Sequence, residues 1–107
     1  MAKDITNLIE RLEAFEERMG VTLEGLFASV DDNGYPEING ELHSREGTQI
    51  AQDIGLVISL HDAAGRVLGT STEHFGAESF FGFETFSITL MPTIATISKI
   101  RVYPKAA

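Results

Sequence analysis

The chain has 107 residues, 43% of them hydrophobic and 22% charged, and its 16 acidic against 8 basic residues give a formal net charge of −8. That length fits one domain with one core, and the composition is that of a globular rather than a disordered chain. The acidity argues against nucleic acid or an anionic membrane as partner, since both need a cationic surface; the absence of cysteine removes disulfides, thiolate nucleophiles and cysteine zinc sites.

The N-terminus, Met1-Ala2-Lys3-Asp4, lacks the apolar core of a signal peptide, and no apolar run is long enough to span a bilayer, so a cytoplasmic protein is expected. Ile5, Leu8, Leu12, Phe15 and Met19 follow at alternating spacings of three and four, widened by Ile9, with Glu10, Glu13, Glu16, Glu17 and Arg18 between them. With Asp4 as N-cap and Gly20 beyond the last turn, this spacing predicts an amphipathic helix over 4–19. The expected organisation is therefore an N-terminal helix, 1–20, and a β domain, 21–107. The apolar stripe either packs on its own chain or pairs with a second copy. That makes Leu8, Leu12, Phe15 and Met19 candidate interaction residues in a homodimer.

Val21 to Leu26 reads as a connector or the start of a strand, and Leu26–Val30 as a short strand. Asp31-Asp32-Asn33-Gly34 is a hairpin turn. Pro36 holds the start of the next segment at an edge, and Ile38–His43 alternates as a strand. Ile54, Leu56, Ile58 and Leu60 alternate with Gly55, Val57, Ser59 and His61. Asp62-Ala63-Ala64-Gly65 then turns the chain into a return strand, Arg66–Thr72. Glu73–Ser79 is expected to be a loop. Phe80–Leu90 is expected to be a strand with Phe80, Phe86, Ile88 and Leu90 on one face and Phe81 and Phe83 on the other. A last strand over Ile94–Tyr103 needs a bulge near Ser98 to hold its phase, and Pro104 stops it. The count is six or seven strands with turns about every ten residues, the pattern of a mainly β fold: an immunoglobulin-like antiparallel sandwich carrying one N-terminal helix.

Residues 38–103 resemble the FxLYD-type β-sandwich domain of bacterial and archaeal proteins. Ile38-Asn39-Gly40-Glu41-Leu42 is similar to that family's first strand. Val57-Ile58-Ser59-Leu60-His61-Asp62 with Gly65-Arg66-Val67 is similar to its signature hairpin, and Phe83 to Leu90 to its late aromatic strand. His61 stands where the family signature has tyrosine, and the segment 4–19 lies outside the match. The resemblance implies a fibronectin-like accessory or interaction module with no family active site. Separately, Leu26 to Pro36 resembles the opening hairpin of flavin-binding split barrels. The basic residues that hold a flavin phosphate are missing, however, because Arg45 is the only Lys or Arg between Val21 and Arg66.

Chemistry-bearing motifs are sparse. His43 and His61, on neighbouring strands, are weak metal candidates together with Glu41 or Asp62, and Glu41 with Glu84 is a conceivable acid–base pair. Ser71, Ser79, Ser87 and Ser98 lie in no nucleophile elbow, and there is neither a calcium loop nor a phosphate loop. Phe81 and Phe83 need a partner surface outside the core, and the lack of tryptophan disfavours a sugar platform. The expectation is a non-enzymatic protein-interaction or structural module without cofactor or catalytic residues, its partner a protein, itself included. Leu8, Leu12, Phe15, Met19, Phe81 and Phe83 form the candidate surface. The alternative is a small-ligand or flavin-binding protein built on the 26–36 hairpin.

Overall fold

Two hairpins with the same turn chemistry frame the molecule. A computed structural model describes residues 2–107. In it, Val21–Val30 and Pro36–Ser44 are antiparallel, as are Ile54–His61 and Val67–Phe75. In the first turn Asp31 Oδ1 accepts from the N–H groups of Asn33 and Tyr35, both at 2.9 Å. In the second, Asp62 Oδ1 accepts from those of Ala64 and Arg66, again both at 2.9 Å. Gly34 and Gly65 supply the positive φ, 85° and 83°, that each turn needs at the same position. The Arg66 N–H, and then its guanidinium on Asp62 Oδ2, hold the Asp62 carboxyl below the usual carboxylate range.

In chain order the strands are β1 (Lys3–Asp4), β2 (Ile9–Arg11), β3 (Val21–Val30), β4 (Pro36–Ser44), β5 (Ile54–His61), β6 (Val67–Phe75), β7 (Phe83–Thr89) and β8 (Lys99–Ala106), with one short helix, α1 (Glu13–Arg18). They form two four-stranded sheets, sheet A ordered β1-β3-β4-β7 and sheet B ordered β2-β8-β5-β6. The chain crosses between sheets after β1, β2, β4, β6 and β7. The inward phases of both sheets, including Leu23, Ile38 and Leu42 from A and Leu56, Ile58 and Val102 from B, share one hydrophobic core. The period-two expectation for Ile54–Leu60 holds. At Gly40 a built Cβ would lie 2.8 Å from the Leu26 side chain and 2.9 Å from Phe86. The missing side chain therefore lets a leucine at the β3 bulge and a phenylalanine from β7 meet over the β4 backbone.

The N-terminal segment corrects the expected 4–19 helix. Only Glu13–Arg18 is α-helical. Thr6–Leu8 is a 3₁₀ turn, and the rest contributes β1 and β2. β1 pairs antiparallel with the end of β3, while β2 pairs parallel with β8, so the segment straps one side of both sheets. Its polar side is solvated at Glu13, Glu17 and Arg18 but not at Glu16. Glu16 is fully buried (0% exposed) and accepts from Arg11 at 2.7 and 3.1 Å and from the Leu23 N–H at 3.0 Å. That carboxylate holds Arg11 above its usual value. Conversely Phe15, expected in the buried stripe, is 37% exposed and meets Tyr103 edge-on.

Three further differences follow from packing. Among the described residues the strands number eight rather than six or seven because the N-terminal segment adds two short ones. Phe80 precedes β7 instead of belonging to it and is buried edge-on against Phe75, to which β6 extends through the expected loop. The last strand begins at Lys99, so Ile100, Val102 and Pro104 hold one phase and no bulge at Ser98 is needed. Pro104 continues that strand because β2 ends opposite Val102, leaving this stretch of β8 at an edge.

Candidate functional surfaces

The strand register decides which side chains share each outer face. On sheet A, Glu24 faces Glu41, and His43 lies between Thr22 and Phe83. The His43 ring stacks on Phe83 with centroids 5.1 Å apart and planes at 15°. Its Nε2 is 2.9 Å from Glu41 Oε1 and its Nδ1 3.5 Å from Glu24 Oε2, so one imidazole bridges two like charges. Phe27 and Glu37 complete the face, and the sequences of β3, β4 and β7 contain no lysine or arginine. Cross-strand carboxylates are unfavourable without a cation between them.

Phe81 and Phe83 lie at one end of this face, 77% and 53% exposed. Between them Gly82 (φ 88°) donates its N–H to Thr48 O at 2.7 Å and accepts from Ser44 N–H at 2.9 Å, fixing the approach to β7. Of the other expected interaction residues, Leu8 and Met19 are half-buried against the core, and Leu12 and Phe15 lie over the outside of sheet B. The structure disperses the expected stripe because the segment is not one helix.

No family model, curated protein or solved structure matches this chain.

The outer face of sheet B holds a groove of about 540 Å³ between α1 and β6, floored by Val57, Ser59, His61, Arg101 and Tyr103. His61 Nε2 lies 2.8 Å from Ser59 Oγ, and its Nδ1 lies 3.3 Å from Gly65 O. A proton on Nδ1 satisfies the carbonyl and leaves Nε2 to accept from the serine. Ser59 lay in none of the motifs sought, and its only signal is its place two residues before His61 on the same strand phase. Beside the groove, Glu10 accepts from Arg101 Nε at 2.9 Å with Lys99 nearby, and that hydrogen bond first of all lowers the Glu10 carboxyl.

His43 and His61 do not come together, since they stand on the outer faces of opposite sheets. Among the described residues no group of three His, Asp or Glu side chains is placed to hold a metal. Glu41 and Glu84 sit on opposite phases of sheet A, Glu84 being paired with Leu42 rather than Glu41, so the acid–base pair is not assembled. A larger hollow of about 610 Å³ opens beside the turn of the 26–36 hairpin, lined by Lys3, Asp4, Leu8, Val30, Asp31 and Ile97 among others.

Proposed function

We propose that this is a non-enzymatic protein-interaction module of immunoglobulin-like, FxLYD-type architecture whose outer sheet A face receives a basic, extended segment of a protein partner. The strand orders β3-β4-β7 and β6-β5-β8, reached by repeated crossing between two sheets, support the architecture. The observation that carries the function is the Glu24–Glu41 pair, bridged by His43 alone, on strands without lysine or arginine and beside the exposed Phe81 and Phe83. An arginine laid across this face stacks its guanidinium on Phe83 and forks onto Glu41, relieving the carboxylate repulsion. The test is an NMR titration with an arginine-rich extended peptide. Shifts centred on residues 24, 41, 43 and 81–83, weakened by Phe83→Ala and by added salt, are expected; no localised shift at millimolar peptide refutes the reading.

A second reading has its own observation. The hollow beside the 26–36 hairpin supports a small apolar ligand more than a flavin phosphate, because Asp4 and Asp31 line it against a single cation, Lys3. A rise in melting temperature with riboflavin but not FMN is expected under this reading, and no rise with either ends it.

A further inference from the structure

The two lateral sides of the molecule are treated differently. On the strapped side, Ala28 of β3 donates to Thr6 Oγ1 and accepts from the Ile5 N–H, Leu23 donates to Glu16, and the Val21 carbonyl accepts from Arg45 Nε. On the other side sheet B ends in β6. This strand is nine residues long, and its ladder with β5 runs from Val67 to Phe75 with one irregularity, near Leu68. As the terminal strand it turns alternate backbone N–H and C=O groups away from β5. Its protections stand toward its two ends, a bulge at Leu68 and the inward-phase charge of Glu73, and the sequence VLGTSTEHF contains no lysine, arginine or proline.

The same sequence is complementary to itself. We infer that β6 pairs antiparallel with β6 of a second copy about a two-fold axis through Ser71, joining two B sheets into one continuous sheet. Ser71 is the midpoint of the strand, and the axis lies within its regular stretch, Gly69–Phe75. It sets Thr70 against the second copy's Thr72, a favourable cross-strand pair. Glu73 meets Gly69 rather than another glutamate. The two Glu73 positions lie four residues apart along the ladder, about 13 Å at 3.4 Å per residue, and their repulsion is largely screened. The contact is isologous and closes at two copies. It leaves the sheet A face untouched, so this inference and the proposed function fail independently.

Light scattering is expected to show twice the 11.7 kDa chain mass at about millimolar protein, falling to one chain on dilution. Ser71 shares the inward phase of its neighbour Ile58, so Ser71→Lys places an inward-pointing charge at the axis and is expected to give a monomer with native circular dichroism. The chain has no cysteine, so Ser71→Cys introduces a single thiol. Directly opposed residues in an antiparallel pair stand about 4.5 or 5.5 Å apart at Cα, within disulfide range for either hydrogen-bonding phase. Oxidation is expected to cross-link Ser71→Cys into a dimer but leave Ser87→Cys, on β7, monomeric. A monomeric mass at every concentration, a dimer that survives Ser71→Lys, or a Ser71→Cys that fails to cross-link each overturns the inference. Phe83→Ala is expected to leave the dimer mass unchanged.

Discussion

Replacing Glu16 tests whether one buried carboxylate fastens the N-terminal strap. The side chain is fully buried and takes two hydrogen bonds from Arg11, one from the Leu23 N–H and a longer one from Thr22 Oγ1, so it ties α1 to the end of β2 and to the β3 edge. Glu16→Gln keeps an oxygen for Leu23 but turns an amide NH₂ toward the guanidinium. Hydrogen bonds to charged groups contribute about 1.5–3 kcal/mol each, and removing one partner of a buried pair costs about 3–5 kcal/mol. The Arg11 side chain is 36% exposed and regains water when released, so the loss falls to the bottom of that range or below it, about 2–3 kcal/mol. Glu16→Ala also orphans the Leu23 N–H, an additional cost of about 1–3 kcal/mol, for a total of about 3–6 kcal/mol. Urea denaturation measures both, and the midpoint is expected to fall with an unchanged slope. The cycle with Arg11→Ala isolates their coupling. A loss below about 1 kcal/mol for Glu16→Ala refutes the assignment of Glu16 as the fastening group.

Other outcomes follow from the same contacts. Gly40→Ala is expected to destabilise by about 1–3 kcal/mol in the same assay, because its Cβ collides with Leu26 and Phe86. Asp62 has a folded-state carboxyl below its unfolded value, so its contribution is fully present above roughly pH 4 and is lost as pH falls through the lower folded value. Asp62→Asn is therefore expected to flatten the acid limb of a melting-temperature profile, and an unaltered limb contradicts the turn's role. Phe81→Ser, at an exposed ring, is expected to change stability by no more than about 0.5 kcal/mol while weakening partner binding. A larger loss of stability would mean that Phe81 packs in the fold.

What was legible in the sequence was local. Both central hairpins were readable because an aspartate acceptor and a glycine three residues on specify the turn whatever surrounds it, and Ile54–Leu60 alternates because one strand phase meets the core. The strap was illegible for the opposite reason. Its three–four spacing is that of a helix, yet Ile5 enters the core and Ile9 pairs with Ile100, interactions with no trace in neighbouring residues. Glu16 read as solvated because nothing local announces that Arg11 and a β3 amide will surround it. The candidate surfaces divided in the same way. Phe81 and Phe83 were identified from composition and phase, whereas the Glu24–His43–Glu41 bridge depends on the β3–β4 register. Ser59 needed the distance to His61, which no motif encodes.

The parallel pairing of Ile9–Arg11 with Ile100–Val102 sets a timetable for synthesis. As the chain leaves the ribosome, β3 and β4 meet their partners within a few tens of residues, but β2 has no ladder to join until almost the whole sequence has emerged. A nascent chain can therefore dock β1 and Glu16 on β3 early, while residues 9–11 between them wait for β8. The last ladder to close is then the parallel one, after the strands on both sides of it have found their sheets.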